Sequence, residues 1–219
     1  MARGRSPGYD GQRGLILARA AQLFAQHGYS ATSMNAVALA CGLSKATLYH
    51  YYRDKYALLV SIAEGHVTQL EALVRDVAAQ ALAPDQAMRS LILRTVAEYA
   101  GAQDAHRVLT EDVRFLNPAD RERILGTERR VVAAFAQAIG AWQPAQAQAG
   151  LAAPLTMLLF GMLNWLFTWM KPGGAISHAQ IALIVADLFA GGVPAVKPPS
   201  TVHPTAQPAV QPTVQPTAP

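Results

Sequence analysis

The sequence predicts an all-α protein with an N-terminal three-helix helix-turn-helix domain and a larger C-terminal helical domain. Apolar residues recur at helical spacing along most of the 219-residue chain, and hydrophobic residues make up 52% of it. Prolines and glycines separate these apolar stretches. We expect a disordered basic arm over 1–10, the helix-turn-helix domain over 11–55, the second domain over 56–192 and a disordered Pro-rich tail over 193–219.

The first helix is expected to begin near residue 11 and to end at Gly28. Ile16, Leu23 and Phe24 fall on one face of this helix, and glycine is a common residue just after a helix end. This face is therefore expected to lie in the core of the first domain.

Residues that cap helices mark the next three helix starts. Thr32 or Ser33 precedes a short second helix, Ser44 precedes a third helix from Lys45 to about Tyr52, and Asp54 precedes a long fourth helix. Each of these side chains has an oxygen that accepts a hydrogen bond from a backbone N–H in the first helical turn. A turn that contains glycine joins the second and third helices, which is the helix-turn-helix arrangement.

The third helix carries more ring side chains than one buried face accommodates. Residues 49–52 are Tyr, His, Tyr and Tyr, and consecutive positions spread around the circumference of a helix. We expect Leu48 and Tyr52 to pack inward. Lys45, Thr47 and the remaining rings then face outward, where such groups bond phosphates and contact base edges in a DNA major groove.

Positive charge is concentrated in the first quarter of the chain. Residues 1–55 carry seven Lys or Arg and two acidic residues, whereas the remaining 164 residues carry 11 basic and 12 acidic residues. This asymmetry favours a polyanionic partner, and the alternative is a basic face that is merely solvated.

Residues from about 11 to 60 resemble the N-terminal domain of the TetR family of bacterial transcriptional regulators. The resemblance rests on ILARAAQLFAQHGYSATSMNAVALACGLSKATLYHYYRDKYALL, with its Gly-Tyr corner, its Ala-Cys-Gly-Leu-Ser turn and its Thr-Leu-Tyr recognition helix. It implies a homodimer that binds a near-palindromic operator in double-stranded DNA, with repression as the expected outcome. Ala36 departs from the family pattern, because an acidic residue there often completes a capping box with the residue at 33. By this resemblance the residues that face DNA or hold phosphates are Thr32, Ser33, Ser44, Lys45, Ala46, Thr47, Tyr49, His50, Tyr51 and Lys55.

The second domain is expected to contain further helices, separated at Pro84, Pro118, Pro144 and the glycines at 173–174. The fourth helix, over 54–80, is predicted to be the only continuous rigid element that joins the two domains. The other helices are expected over 85–103, 105–116, 118–140, 147–171 and 177–191.

An uncharged stretch of 20 residues, Leu151 to Met170, is long enough to span a bilayer. Spanning would make the protein a single-pass membrane-anchored regulator. Pro154 and Asn164 interrupt the stretch, and the apolar helix at 177–191 requires a packing partner of its own. We favour two such helices from each of two subunits in a four-helix dimer interface, with no membrane contact.

The stretch FGMLNWLFTWMKPGGAISHAQIALIVADLFAGGV resembles the C-terminal helices of TetR-family members that sense acyl-CoA thioesters. An acyl chain requires an apolar tunnel and CoA phosphates require cations, and another apolar effector is the main alternative. The residues expected to contact the effector are Leu91, Val96, Arg107, Leu109, Arg114, Phe115, Met157, Phe160 and Trp165. Further candidates for CoA phosphates are Arg121, Arg123, Arg129 and Arg130.

The sequence contains no GxSxG, GxGxxG or Walker A pattern, its six histidines form no HxxxH pair, and its one cysteine cannot build a thiolate zinc site. We therefore expect no catalysis, no cofactor and no metal, and a helical-bundle enzyme remains the alternative. A lone cysteine indicates a reducing compartment, and the first residues have no apolar signal segment. We expect a cytoplasmic protein.

Overall fold

The computed structural model describes residues 7–170 and 173–197, and the predicted all-α fold is confirmed. Within these ranges the chain forms eleven α-helices and two 3₁₀ helices, with no strand. The α-helices are α1 (Pro7–His27), α2 (Met34–Ala40), α3 (Lys45–Tyr51), α4 (Lys55–Ala79), α5 (Pro84–Gly101), α6 (Gln103–Asp112), α7 (Pro118–Trp142), α8 (Pro144–Gln148), α9 (Ala152–Asn164), α10 (Leu166–Trp169) and α11 (His178–Gly192). The 3₁₀ helices are Val113–Phe115 and Val193–Ala195.

The predicted capping residues fix the starts of α2, α3 and α4. Ser33, Ser44 and Asp54 each accept a hydrogen bond from the backbone N–H three residues later, at 3.1, 3.0 and 2.7 Å. Gly28 and Gly42 follow α1 and α2 with φ angles of 84° and 65°, a region in which other residues are strained. The local chemistry of the helix-turn-helix thus sets its boundaries.

α1 begins at Pro7, four residues before the predicted start. Proline suits the first helical turn because its missing N–H would have had no partner there. Asp10 also lies in that turn, where the helix dipole stabilises a carboxylate. Residues 7–10 of the expected arm are therefore helical, while residues 1–6 and 198–219 lie outside the described part of the chain.

The single helix predicted over 147–171 is wrong, because the chain forms α9 and α10 there with a break at Trp165. The Thr168 backbone N–H and hydroxyl both bond the Trp165 carbonyl, at 3.1 and 2.7 Å, and so close a tight turn in place of continuous α-helix. Before α9, Gly150 with φ of 74° ends the short helix α8. The uncharged stretch is therefore not one straight rod.

Three helical stretches of the described chain are long and apolar enough to cross a membrane, judged by length and composition alone: Lys55–Ala79, Ala152–Trp169 and His178–Ala195. All three contribute buried side chains to the helical core. Their apolar composition thus has a role in packing.

The buried side chains form two clusters, and α4 contributes to both. The first cluster combines side chains of α1, α2, α3 and α4. It contains Leu48 and Tyr52, as predicted. The second cluster joins α4, α5, α7, α9 and α11 around the fully buried Phe135. Along α4, buried residues up to Val67 lie in the first cluster and those from Leu70 onward lie in the second.

α6 packs into the first cluster although the sequence places it in the second domain. Val108 and Leu109 of α6 are buried together with side chains of α1 and α4, and Leu116 joins them. α4 is the helix that runs continuously between the two clusters, as predicted, but α6 adds a second connection that the sequence did not predict, since it packs directly against α1. The physical reason is that a ten-residue helix is not stable without burial of its apolar face.

α4 and α6 also meet at a buried pair of histidines. His66 and His106 are each 3% exposed, and His66 Nε2 lies 3.2 Å from His106 Nδ1. Burial, joined for His66 by the neighbouring His106, lowers the pKa of each ring from 6.5 to about 4. Both rings are therefore neutral at neutral pH.

We expect the free energy of unfolding to fall between pH 7.5 and pH 5 because of this histidine pair. Since the folded pKa values lie below the unfolded value of 6.5, the stability that the neutral rings contribute is complete above pH 6.5 and is lost as the pH falls towards 4. The expected loss at pH 5 is about 2 kcal/mol per ring. Urea denaturation followed by circular dichroism at each pH measures it.

The double variant His66→Phe/His106→Phe should show a flatter pH dependence over the same window. His27→Gln changes an exposed histidine of α1 and is the matched control. Burial raises the pKa of Glu128, which opposes the trend in every variant, so the comparison isolates the two rings. An unchanged pH dependence in the double variant would contradict the prediction.

Candidate nucleic-acid interface and effector cavity

α3 is held in place through one buried side. Leu48 has no exposed surface. Tyr52 is the residue directly after the helix, and its hydroxyl accepts a hydrogen bond from Arg13 Nε at 2.9 Å. Complete burial of a leucine contributes about 2 kcal/mol. A seven-residue helix is unstable alone, so these contacts with α1 and its surroundings determine where α3 lies.

The other side of α3 is exposed and carries the groups predicted to face DNA. Lys45, Ala46, Thr47, Tyr49 and His50 are all exposed, as the sequence pattern indicates. The ammonium of Lys45 lies 5.9 Å from the centre of the Tyr49 ring. α3 has no acidic residue that would repel a phosphate. The face therefore offers cationic, hydroxyl and ring groups to a polyanion.

Ser44, which caps α3, also holds the Thr47 side chain in position. Ser44 Oγ accepts the Thr47 N–H at 3.0 Å and shares a second hydrogen bond with Thr47 Oγ1 at 2.8 Å. The start of the helix and the position of the Thr47 hydroxyl are thus determined together.

Tyr51 is half-buried, because a ring that the sequence analysis did not identify covers it. Tyr9 of α1 stacks on Tyr51 with ring centres 4.7 Å apart, and the edge of His50 contacts both rings. Tyr9 and Arg13 are four residues apart and share one face of α1. Extending the predicted helix back to Pro7 would have placed both residues on one face of α1, but only the structure shows that Tyr51 and Tyr52 cover that face.

Thr32, Ser33 and Lys55 surround the corner between α1 and α2. The Thr32 hydroxyl is buried and donates to the Leu23 and Gly28 carbonyls, while Ser33 caps α2. Lys55 Nζ donates to two backbone carbonyls of the corner, at 2.7 and 3.1 Å, and lies over the Tyr29 ring. Thr32 and Lys55 therefore stabilise this corner, and their predicted phosphate contacts remain a prediction.

A cavity of about 270 Å³ lies in the second domain beside α6. Its lining is mostly apolar, and Met157, which is 61% exposed, also borders it. The volume is close to the lower end of the usual range for ligand sites. The lining residues are Val67, Leu70, Tyr99, His106, Leu109, Thr110, Val113, Leu125, Glu128, Val131, Val132, Met157, Phe160 and Asn164.

The structure brings three of the residues predicted to contact the effector to this cavity: Leu109, Met157 and Phe160. The lining does not include the other six. Leu91 and Val96 lie in the second core cluster. Trp165 is 63% exposed. The remaining three lie on α6 or in the turn that follows it, and they are Arg107, Arg114 and Phe115.

Most of the arginines proposed for CoA phosphates already pair with carboxylates. Arg107 bonds Glu111 at 3.1 Å, and the other three pairs are also solvent-exposed. Arg114 lies over the Phe115 ring at 5.0 Å. Exposed ion pairs are worth about 0–1 kcal/mol, so a phosphate can replace the carboxylate at small cost. The other pairs are Arg123–Glu64, Arg129–Glu122 and Arg130–Glu71.

The polar lining of the cavity was missed by sequence reasoning. His106, Tyr99, Asn164 and Glu128 lie on four different helices, and no spacing in the sequence connects them. The Tyr99 hydroxyl donates to Asn164 Oδ1 at 2.8 Å. Burial raises the pKa of Tyr99 and that of Glu128. The cavity thus combines an apolar interior with a few fixed polar groups.

Two family models match the chain. Residues 16–62 match the model described as bacterial regulatory proteins of the tetR family, and residues 81–193 match the tetracyclin repressor-like C-terminal domain. The first match contains α2 and α3, and the second contains most of the cavity lining.

Solved structures and curated proteins support the same relationship over most of the chain. A TetR-family transcriptional regulator from Bordetella parapertussis 12822 is 33% identical, covers 84% of this chain and 97% of its own, and superposes with a TM-score of 0.77. AibR, crystallised with isovaleryl coenzyme A and operator DNA, is 26% identical, with coverage of 81% and 98% and a TM-score of 0.68. The transcriptional repressor KstR2 of Mycobacterium tuberculosis is 24% identical over 195 residues, which is 84% of this chain and 94% of KstR2.

These proteins are transcriptional regulators, so the comparisons give no support to the enzyme alternative. The exposed face of α3 and most of the lining of the cavity beside α6 lie in the two segments that the family models match. The chain belongs to the TetR family of bacterial transcriptional regulators, with a helix-turn-helix DNA-binding domain followed by a ligand-binding type of C-terminal domain.

Proposed function

We propose that this protein is a cytoplasmic, homodimeric repressor that leaves its operator when a small apolar effector, an acyl-CoA thioester, binds the C-terminal domain. The observation that supports this proposal best is the position of α6. His106, Leu109 and Thr110 of α6 line the cavity, while Val108 and Leu109 are buried in the cluster that also holds α3. A ligand that displaces α6 therefore acts on the packing of the DNA-binding domain.

Contacts at the end of α6 extend this connection to the corner before α2. Phe115, in the turn after α6, packs against the Tyr29 ring at 5.2 Å, and Lys55 holds the same corner through its ammonium. The Tyr56 hydroxyl at the start of α4 donates to Asp120 and accepts from the Asn117 backbone N–H, at 2.7 and 3.0 Å. The start of α4 and the corner between α1 and α2 are thus both in contact with the segment 115–120, which follows α6.

The acyl-CoA assignment is supported by the AibR complex and by the shape of the site. AibR is similar to this protein over most of both chains and was crystallised with isovaleryl coenzyme A. The cavity suits a short acyl group, and the exposed arginines of α6 and α7 lie on the elements that border it. An uncharged hydrophobic effector that needs no CoA group is the second candidate, because the lining itself is mostly apolar.

The dimer proposal rests on large apolar side chains that stay exposed in the single chain. Leu158, Trp165 and Leu188 are each more than 60% exposed, on or between α9, α10 and α11. Ile184 is half exposed and lies one turn from Leu188 on the same face. Exposed apolar patches of this kind mark protein interfaces. We assign them to contacts with a second copy rather than to lipid.

Substitutions on α3 should distinguish sequence-specific binding of the operator from non-specific electrostatic binding of DNA. Thr47→Ala and Tyr49→Ala are expected to reduce the preference for the operator over random DNA, because they remove groups placed at base edges. Lys45→Ala should weaken binding to both DNAs and reduce the salt slope by about one. Fluorescence anisotropy at several salt concentrations, on an operator selected from a random pool, measures both effects.

Lys197→Ala is the matched control for Lys45→Ala, since it removes an exposed lysine far along the chain from α3. Lys55→Ala should also weaken binding to all sequences, and in addition should loosen the corner that its ammonium holds. Equal losses on operator and random DNA for the Thr47 and Tyr49 variants would count against their assigned roles.

Leu188→Glu should abolish the dimer while leaving the fold of each subunit intact. Leu188 is 62% exposed in the single chain, so the new charge is costly only if a second subunit covers it. An unpaired charge buried in an interface costs several kcal/mol. Sedimentation velocity should show monomers with low operator affinity, and Trp165→Glu should behave in the same way. Leu39→Glu, at an 83% exposed leucine of α2, should remain dimeric.

A Leu188→Glu protein that is fully dimeric and binds the operator would remove α11 from the interface. Recovery of the wild-type protein in the membrane fraction of cells would instead favour the membrane-anchored alternative.

A panel of acyl-CoA thioesters should release the protein from labelled operator, whereas free CoA should not. A 100-fold loss of operator affinity requires a coupling free energy of about 2.7 kcal/mol, and operator DNA must then weaken thioester binding by the same factor. Met157→Trp should reduce release, because the larger ring occupies the border of the cavity without burial in the core. Alanine variants of Arg107, Arg114, Arg121 and Arg129 should respond less while binding DNA normally without effector.

Release by an uncharged hydrophobe but by no thioester would eliminate the CoA group from the proposal and leave the cavity assignment in place. Release by free CoA alone would contradict the role of the cavity.

A further inference from the structure

The His66–His106 pair leaves two buried nitrogen atoms without a hydrogen bond. Among the described residues, neither His66 Nδ1 nor His106 Nε2 has a partner of normal geometry. Buried polar atoms are nearly always paired, because leaving one unpaired is destabilising. His106 also lines the effector cavity. His106 therefore combines a position in the cavity lining with a ring nitrogen that has no partner within the protein.

The surroundings of His106 hold its ring in one orientation. Tyr99 stacks on the ring with centres 3.9 Å apart, and Phe167 packs edge-on at 5.6 Å. His66 occupies Nδ1 from the α4 side. Nε2, on the opposite side of the imidazole ring, is the nitrogen that stays available. A fixed polar group in an apolar site gives specificity because the ligand must present its own polar atom at one position.

We infer that His106 Nε2 donates a hydrogen bond to an uncharged carbonyl oxygen of the effector, and that this bond selects one tautomer of the His66–His106 pair. The inference deepens the proposed function, since it names the chemical group that the cavity reads. It makes His106 a specificity-determining residue that contacts ligand, and His66 a positioning residue on α4.

The tautomer follows from the hydrogen bond between the two rings. Both rings are neutral, so each carries one N–H and one lone pair. When His66 Nε2 is the donor, His106 Nδ1 accepts and His106 Nε2 must carry the proton. In the reverse arrangement His106 Nε2 is an acceptor. A carbonyl oxygen can accept but cannot donate, so it stabilises the first arrangement alone.

One feature of the cavity favours an uncharged acceptor over a carboxylate. Glu128 lines the same cavity, and a second carboxylate beside it is unfavourable. The Asn164 backbone lies near the His106 ring and raises the His106 pKa, which partly opposes the effect of burial. A ketone or the carbonyl of a thioester is such an uncharged acceptor.

The test uses two probes that differ in one oxygen atom, 1-indanone and indane. Wild-type protein should bind 1-indanone about tenfold more tightly than indane, which corresponds to about 1.4 kcal/mol, the size of one net hydrogen bond. The preference should vanish in His106→Phe, and affinity for indane should be retained. It should persist in His66→Phe, because the nitrogen that faces the ligand remains. His178→Phe, at a histidine outside this cavity, is the matched control.

Nuclear magnetic resonance of ¹⁵N-histidine reads the tautomer directly. With 1-indanone, His106 should show a protonated Nε2 and an unprotonated Nδ1, and indane should leave the tautomer populations unchanged. In His66→Phe the Nδ1 lone pair loses its donor, so free His106 should populate both tautomers. A merely structural histidine pair would not change its nitrogen shifts differently with the two probes.

The double variant His66→Phe/His106→Phe is the control for the case in which a single substitution impairs folding. Replacement of both partners by apolar rings of similar shape leaves no orphaned polar atom, so this protein should fold, bind operator and bind both probes equally. A tenfold preference for the ketone in the double variant would overturn the inference. The same holds if wild-type protein shows no preference or binds neither probe. Operator binding and thioester release in those cases would leave the proposed function intact, while loss of operator binding by the wild-type protein would reject the proposed function itself.

Discussion

The packing of α6 is the constraint on which the rest of the structure depends. This ten-residue helix is too short to be stable by itself, so it depends on the burial of one of its faces. One side completes the core beneath the DNA-binding helices, and the other forms a wall of the cavity. Close-packed interiors transmit small displacements because they contain few voids. Because α6 packs against α1 and also lines the cavity, a ligand that enters the cavity and moves α6 is expected to shift the packing of α1 as well.

The same logic explains why α3 presents so many polar and aromatic groups to solvent. A seven-residue helix with only Leu48 fully buried relies on its Ser44 cap and on the Tyr52–Arg13 hydrogen bond for its position. These two anchors, together with the buried Leu48, leave the opposite face of the helix free of packing contacts with the core. The stack of Tyr9 on Tyr51 adds a third contact with α1. Since α1 also packs against α6, two helices, α1 and α6, connect the exposed face of α3 to the cavity.

Much of the first domain could be predicted because its determinants are local. The Ser33, Ser44 and Asp54 caps are each read from a few adjacent residues, and so is the burial of Leu48. The contact between α6 and α1 could not be predicted, because periodicity shows that a helix has an apolar face but not which partner covers it. The histidine pair joins residues 40 positions apart, and each histidine alone has the sequence signature of an ordinary core residue. The break at Trp165 depends on a Thr168 hydrogen bond for which an apolar stretch gives no signal.

If the effector is an acyl-CoA, as we propose, the distribution of charge around the cavity would divide its recognition between two kinds of contact. The arginines of α6 and α7 are mostly neutralised by neighbouring carboxylates and exposed to solvent, so exchange of a carboxylate for a phosphate gains little and discriminates weakly. Inside the cavity, by contrast, water is largely replaced by apolar side chains, and a polar atom without its partner is costly. Selectivity among effectors must therefore arise mainly inside the cavity, from the fit of the acyl group and the few polar atoms that it meets. The CoA group would add affinity, while the acyl group would decide which thioester changes the position of α6.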